Sequence, residues 1–387
     1  MIFLKTIRNI FAVLLLFVLL CGCQSELAAP SSAPMPEVTA SSAPAPTATP
    51  EATPKPTPDP IADLLATMSV EEKCGQLLVA GMEGLTAGAD AIYAVTEVQA
   101  GGVILFRRNI GSAEQVAALN QSLALIAPLP LLLCVDEEGG RVSRMPPDMK
   151  ALPAMGKLPE DADVFALGKA LGQDLQTLGY NVNFAPVLDV FSNPRNTVIG
   201  DRAFGSEAAI VTERALRFAE GLTATGILSV GKHFPGHGDT EEDSHTALPV
   251  VRKTLDELEA LEFTPFRAAV EGGMPAMMVG HVLLTEVDAE LPASLSPAVV
   301  NGLLRTELGF DGLVFTDDLT MGALKAYSMG ERAVLAVEAG CDVLLICHGQ
   351  KNLKEAHAAL VAAVVEGRIS ENRLDESLVR ILSVKLG

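Results

Sequence analysis

The stretch Val230–Thr246, VGKHFPGHGDTEEDSHT, concentrates ionisable side chains of several kinds. It carries Lys232, three of the six histidines (His233, His237 and His245) and four carboxylates, and it is cut by Pro235, Gly236 and Gly238. An imidazole ordinarily titrates near ~6.5, so a histidine here can both give and take a proton near neutrality. Asp243 lies two residues before His245, on the same side of an extended segment. From there it can accept from one imidazole nitrogen, fixing the tautomer and raising basicity. A second pair, Asp317-Asp318 in Phe315-Thr-Asp-Asp-Leu319, ends an apolar run and would be rigidly aimed, as a nucleophile must be. Position alone does not separate Asp317 from Asp318. A proton donor and a carboxylate facing each other are what cleavage of a glycosidic bond requires.

These groups need a scaffold that brings distant segments to one place. From Ile61 onward the chain repeats an apolar run, a polar turn and a helical pattern. The runs are Gln76–Ala80, Gly102–Phe106, Leu131–Val135, Val182–Leu188, Ile227–Val230, Ala276–Val279, Leu313–Thr316 and Val343–Cys347. Ser112-Ala-Glu-Gln115 fits a capping box ahead of Val116, Leu119 and Leu123 on one helical face. Thr264-Pro265 and Ser296-Pro297 each place a capping side chain before a proline at the first helical position. Ser370–Leu386 reads as a closing amphipathic helix with Leu374, Leu378 and Ile381 inward. Strand alternating with helix gives a parallel sheet, and eight repeats predict an α/β fold, a (β/α)8 TIM barrel. An open doubly wound sheet competes, but no Gly-x-Gly-x-x-Gly opens a helix after the first run. The long connection from Gly139 to Asp163 is expected to fold over one face.

Residues just after barrel strands share the active-site end. That rule collects Asp136 after the third run, Asp189 and later Arg202 after the fourth, and Lys232, His233, Asp243 and His245 after the fifth. His281 follows the sixth run, and Asp317 and Asp318 the seventh. Chance would scatter such charges over both ends. The set suits acid/base and nucleophilic work on a polyhydroxylated substrate, and it contains no metal-binding motif.

Composition excludes several partners. A net charge of −20 argues against nucleic acid or an anionic membrane as a ligand of the folded part. With no Trp and 4% aromatics, an aromatic-lined polysaccharide groove is not expected, and a short substrate held by polar groups fits better. The six cysteines show no Cys-x-x-Cys and no zinc spacing with histidine, so they form no framework. Cys134 and Cys347 read as buried thiols, and a Cys341–Cys347 disulfide is left open.

Residues 1–23 read as an export signal, with Lys5 and Arg8 ahead of the apolar run Ile10–Leu20, which is too short to span a bilayer. Leu20-Cys21-Gly22-Cys23 resembles a bacterial lipobox, which would make Cys23 the lipidated mature N-terminus. Residues 24–60, built from Pro, Ala, Ser, Thr and Glu, cannot bury enough surface to fold and read as a tether. The folded domain is then 61–387, extracytoplasmic and lipid-anchored to the cell membrane, and expected to be a monomer.

Across nearly all of 61–387 the chain resembles glycoside hydrolase family 3, specifically its β-N-acetylhexosaminidases. The motifs are Val135-Asp-Glu-Glu-Gly-Gly-Arg-Val142, Asn183-Phe-Ala-Pro-Val-Leu-Asp189, Ile199-Gly-Asp-Arg-Ala-Phe-Gly205 and Lys232-His-Phe-Pro-Gly-His-Gly-Asp-Thr240. Asp243-Ser-His245, Pro292-Ala-Ser-Leu-Ser296 and Phe315-Thr-Asp-Asp-Leu319 follow in the same order. The resemblance implies that Asp317 is the nucleophile of a covalent glycosyl-enzyme and His245 the acid/base, assisted by Asp243. It makes Asp136, Arg202, Lys232 and His233 the groups that bind the sugar hydroxyls. Arg141 is a further substrate-binding candidate: with Glu138 it either positions Asp136 or simply pairs with Glu138. It implies a single barrel, no cofactor, no metal, and terminal GlcNAc of peptidoglycan-derived or chitin-like oligosaccharides as substrate. Glu241 and Glu242 insert beside the motif as solvated loop charges, and His237 is expected to brace the loop. His281 is either a satisfied polar residue beneath the site or a substrate contact. Phosphorolysis, β-glucosidase activity and non-catalytic sugar binding by a tethered lipoprotein are the competing functions.

Overall fold

The computed structural model describes residues 59–387. The export signal, Cys23 and the tether up to residue 58 lie outside the described residues. The last two tether positions belong to the domain instead. Asp59 accepts from the N–H groups of Ile61 and Ala62 and caps the helix Pro60–Leu65, with proline in its first turn.

Eight parallel strands close into a barrel in chain order. They are β1 (Leu78–Gly81), β2 (Gly102–Leu105), β3 (Leu132–Val135), β4 (Val182–Asn183), β5 (Leu228–Phe234), β6 (Ala276–Val279), β7 (Leu313–Asp318) and β8 (Val343–Ile346). The ring closes where Leu78 on β1 pairs with Leu344 on β8. Each strand coincides with one of the eight apolar runs, as strands buried on both faces should. The edges differ. Gln76 ends the helix Val70–Gln76 and precedes the strand. In β4 the ladder stops after Asn183, because Pro186 lacks an N–H, and only a Val187–Lys232 bridge continues it.

Ladder register slips by one residue in two places. Gly231 and Phe234 on β5 face Met277 and Val279 on β6, and Phe315 and Asp318 on β7 face Val343 and Leu345 on β8. The extra residue falls among Lys232–His233 on one strand and Thr316–Asp317 on the other. Bulges re-aim side chains and are common beside active sites, and here they sit under the groups with candidate chemistry.

The core fills the barrel and the space beneath the helices. Phe184 and Phe315 meet edge-on across the interior at 5.4 Å, and Phe234 packs on Phe263 and Phe266 of the helix Phe263–Glu271. Ser112 caps the helix Ala113–Ile126 through the N–H of Gln115, but the Gln115 side chain bonds Gly111, so the box is half formed. Ser296 caps as expected, through Val299. Thr264 does not: Phe263–Glu271 starts before it, so Thr264 and Pro265 lie inside the first turn. Ser370 caps the final helix, Glu371–Leu386, which buries Leu374, Leu378 and Ile381. Cys341 and Cys347 are separate buried free thiols, so no disulfide joins them.

Candidate active site

One cleft of about 190 Å³ opens at the C-terminal end of the strands. Asp136, Glu138, Arg202, Lys232, His233, His245, Asp317 and Asp318 line it. The rim rule therefore gathers residues more than 180 positions apart onto one surface.

At its base lies a closed ionic cluster. The Lys232 ammonium, 2% exposed, donates to Asp136 Oδ1 at 2.6 Å and lies 2.5 Å from Glu138 Oε1. Arg202 forks onto Glu138 from Nε and Nη2, both at 2.8 Å. Burial alone would raise the Glu138 carboxyl, but Arg202 and Lys232 outweigh it and hold the group well below the usual carboxylate range. Burial pulls Lys232 down, yet Asp136 and Glu138 push it above the ordinary lysine value, so it stays charged. Asp136 remains partly open to the cleft through its other oxygen, which suits it to hold a hydroxyl.

A second clasp orients the histidines. The fully buried Asp189 accepts from His233 Nδ1 at 2.6 Å and from the His237 N–H at 2.6 Å. His233 therefore carries its proton on Nδ1 and turns Nε2 toward Arg202, which donates across 3.3 Å. His237 also lines the cleft, but both of its ring nitrogens are engaged within the loop. It bonds Thr240 Oγ1 at 2.7 Å and Ser244 Oγ at 3.2 Å, and so braces the loop as expected.

Asp317 sits opposite. One of its oxygens accepts from the Asp318 N–H at 2.7 Å, and the rest of the carboxylate has no protein donor in hydrogen-bond range among the described residues. Burial raises its pKa, but His281, His233, the Asp318 amide and Lys232 together take it below the usual carboxylate value, so it is ionised. Asp318 is occupied otherwise: its oxygens accept from Thr320, at backbone and hydroxyl, and from the Cys347 N–H. Of the two, Asp317 keeps open lone pairs at the cleft. His281 lies beneath and touches no cleft: its Nε2 donates to the Asp318 carbonyl at 2.9 Å and its Nδ1 faces Ser294 Oγ at 2.7 Å. It is the satisfied polar residue of the two readings.

His245 stands at the mouth, its side chain 69% exposed. Asp243 Oδ1 accepts both the His245 N–H at 2.9 Å and its Nδ1–H at 2.8 Å, leaving Nε2 without a protein partner among the described residues. Burial raises the Asp243 carboxyl, but these two bonds and the imidazole outweigh it and lower it. The loop is latched to the segment after β7. Gly322 donates to the His245 carbonyl and Ala323 to that of Ser244, and a Cβ at 322 would lie 2.5 Å from that His245 oxygen. Only glycine lets the loop close there.

Arg141 is a correction. It does not line the cleft; its guanidinium donates to the carbonyls of Thr197, Val198 and Ile199 and pairs with Asp201. It braces the loop that carries Arg202 and pairs with neither Asp136 nor Glu138. The connection from Gly139 to Asp163 does fold over the rim, and Val142 and Arg144 from it line the cleft. Arg144, Phe106 and His348 were not singled out from sequence. His348 follows β8, and the same rim rule applied to the eighth strand finds it.

A TIM barrel whose strand ends aim an ionised carboxylate and a carboxylate-paired histidine into one small polar cleft is the framework of a glycosidase. Residues 69–384 match the model of the glycosyl hydrolase family 3 N terminal domain, and the chain belongs to that family. It is 40% identical over 278 residues to a beta-hexosaminidase of Idiomarina loihiensis, covering 70% of this chain and 82% of that one. A beta-hexosaminidase of Neisseria gonorrhoeae is 42% identical over 260 residues, 64% of this chain and 71% of its own. Among solved structures, a family 3 β-N-acetylglucosaminidase from Paenibacillus superposes with a TM-score of 0.81 and 44% identity over 83% of this chain. This chain spans 62% of that enzyme. The β-N-acetylhexosaminidase of Beutenbergia cavernae matches with a TM-score of 0.78 and 32% identity over 83% of this chain and 100% of its own.

Proposed function

We propose that the protein is a retaining exo-β-N-acetylglucosaminidase, anchored outside the cytoplasmic membrane through Cys23, that trims terminal GlcNAc from cell-wall-derived oligosaccharides. The observation that carries the reading is Asp317, an ionised carboxylate with open lone pairs, in a cleft whose mouth holds the His245–Asp243 pair. The relatives' names, beta-hexosaminidase and β-N-acetylglucosaminidase, support the sugar.

In this mechanism Asp136, Lys232, Arg202 and His233 hold the hydroxyls of the terminal sugar and set C1 over Asp317. Asp317 attacks C1 as the bond to the leaving oxygen breaks, and His245 Nε2 gives that oxygen its proton. Asp243 stabilises the imidazolium that gives this proton, and the transfer leaves a neutral imidazole. Water then attacks C1 from the vacated side, His245 takes the water's proton, and Asp317 leaves as the carboxylate. Two inversions give net retention.

The test is turnover of p-nitrophenyl N-acetyl-β-glucosaminide beside the corresponding glucoside, with the first-formed anomer read by NMR and phosphate varied. The expected result is selective release of β-GlcNAc at a rate independent of phosphate. Silence on the N-acetylglucosaminide, or an α first product, sinks the proposal. GlcNAc 1-phosphate as product would make the enzyme a phosphorylase instead.

A further inference from the structure

The floor of the barrel, opposite the cleft, holds a lysine that the protein leaves without a counter-charge. Lys385, in the last turn of the final helix, is half-buried and gives one bond, to Gln76 Oε1 at 2.8 Å. An ammonium has three N–H donors, and among the described residues this one makes no other hydrogen bond and no ion pair. Burial of the amine pulls its pKa down to about 7, against an upward push from Cys134. Lys232, at the rim, is answered by two carboxylates.

Lys385 lines a cavity of about 230 Å³ whose other walls are largely apolar. Leu131, Leu132, Val182, Ile227, Leu228 and Pro275, at the starts of β3 to β6, supply them. The one side-chain amide there, Asn181, is spent on the backbone of Leu131 and Leu133, at 2.8 and 2.7 Å. At Thr223 and Pro275 this cavity meets a second, of about 300 Å³, beside the helices Ala208–Thr223 and Phe263–Glu271. Leu216, Ala219, Ala269 and Met274 line the second cavity, and its one charged residue, Glu220, pairs with Arg217. The two make an apolar groove with a cation at one end, of the size of a small-molecule site.

We propose that this groove binds a free fatty acid, with its carboxylate on Lys385 and its alkyl chain along the apolar walls toward Met274. Charge complementarity selects the head. A single ammonium is neutralised by one monoanion, whereas a phosphate dianion would leave surplus charge in apolar surroundings. The walls select the tail, because they offer burial to an alkyl chain and few side-chain hydrogen bonds to a sugar or a peptide. With −20 on the protein as a whole, an anion gains no long-range attraction and must be recognised locally. The inference is independent of the glycosidase reading, since groove and cleft lie at opposite ends of the barrel.

The experiment is calorimetric titration of the protein with hexanoate, octanoate and decanoate below their micelle concentrations, each beside its methyl ester. The expected result is one site per chain, tightening about threefold to fourfold with each added methylene. Each acid should bind about tenfold or more tighter than its ester, the range of a charge-assisted hydrogen bond. Lys385→Met should bring acid and ester to within about twofold of each other and keep the dependence on chain length. Thr223→Trp sets a bulky ring where the two cavities meet and should do the converse: the preference for acid stays, and the gain from octanoate to decanoate is lost. No saturable binding, or equal affinity for acid and ester in the parent, overturns the proposal without any variant. So does a preference that survives Lys385→Met. Binding indifferent to both variants would be adsorption elsewhere on the surface and overturns it equally.

Discussion

The barrel buries charge at both ends and handles it in opposite ways. At the floor, Asp342 precedes β8 and is fully buried. Its two oxygens accept from Arg305 at 2.5 Å, Arg380 at 3.1 Å, Ser377 at 2.7 Å and the Val314 N–H at 3.0 Å. Every lone pair has a protein donor. At the rim, Asp317 has the Asp318 N–H and an otherwise open carboxylate facing the cleft. The residue type is the same, and so is the strand-end setting. Saturation is what separates these two carboxylates: Asp342, answered fully by the protein, holds the fold, and Asp317 keeps lone pairs open to the cleft.

Two substitutions break the comparison if it is wrong. Asp317→Ala should lower kcat/KM on aryl N-acetylglucosaminide by about 10⁴-fold or more, the scale seen when a covalent nucleophile is removed. Its thermal midpoint should not fall, because the change deletes a desolvated charge with a single protein hydrogen bond. Asp342→Ala should do the reverse. It strands Arg305 and Arg380 and should cost about 3–5 kcal/mol of unfolding free energy, read by denaturant titration, while activity per folded molecule stays at the parent value. If Asp317→Ala unfolds the protein or Asp342→Ala kills the folded enzyme, the division between the two ends fails.

The comparison sharpens at His245, which is neither buried nor saturated. His245→Ala should lose about 10²–10⁴-fold on substrates with poor leaving groups, where a proton is needed. On the p-nitrophenyl substrate the loss should be smaller, and azide should speed turnover, since it attacks without a base. Asp243→Asn should follow the same pattern more weakly. Parent-like behaviour of His245→Ala on both substrates would remove the pair from the mechanism.

How much of this could be read beforehand depended on whether the cause was local. The eight strands were legible because a strand covered on both faces must be continuously apolar, and the rim followed from the barrel. That sufficed for Asp136, Arg202, Lys232, His233, His245 and Asp317. It failed at Arg141 and Arg144, three residues apart in one connection. There the tight turn at Gly139 (φ +84) and Gly140 (φ +57) sends Arg141 to the Val198 loop and Arg144 into the cleft. No spacing rule encodes that choice, because the partner carbonyls are more than 50 residues away. Asp317 and Asp318 were likewise indistinguishable until the bulge in β7 and the donors Thr320 and Cys347 were in place. The Glu138 pairing with Arg202 rather than Arg141 is the same case: both arginines follow plausible motifs, and only closure of the barrel decides.

Two lysines, Lys232 buried at the rim and Lys385 half-buried at the floor, give the finest test of the contrast. Lys232, at the rim, is flanked by carboxylates and held above the ordinary lysine pKa. Lys385, in the last turn of the final helix, donates to Gln76 Oε1 at 2.8 Å and has no carboxylate partner among the described residues. Burial pulls it down to about 7, against a small opposing push from Cys134. An unfolded lysine titrates near ~10.4. Between pH 7 and that value the unfolded chain holds a proton that the folded chain has released, so stability rises with pH, by at most about 1.4 kcal/mol per unit. Lys232 has the opposite sign: its contribution is complete below the unfolded pKa and is lost only as pH climbs through its raised folded value, so it adds no slope from pH 7 to 9. Denaturant titrations at pH 7, 8 and 9 should therefore show a rise in the parent that Lys385→Met flattens, with the variant more stable at pH 7. An unchanged slope in Lys385→Met would mean that its ammonium is solvated in the folded state, and that the floor, like the rim, leaves no lysine unanswered.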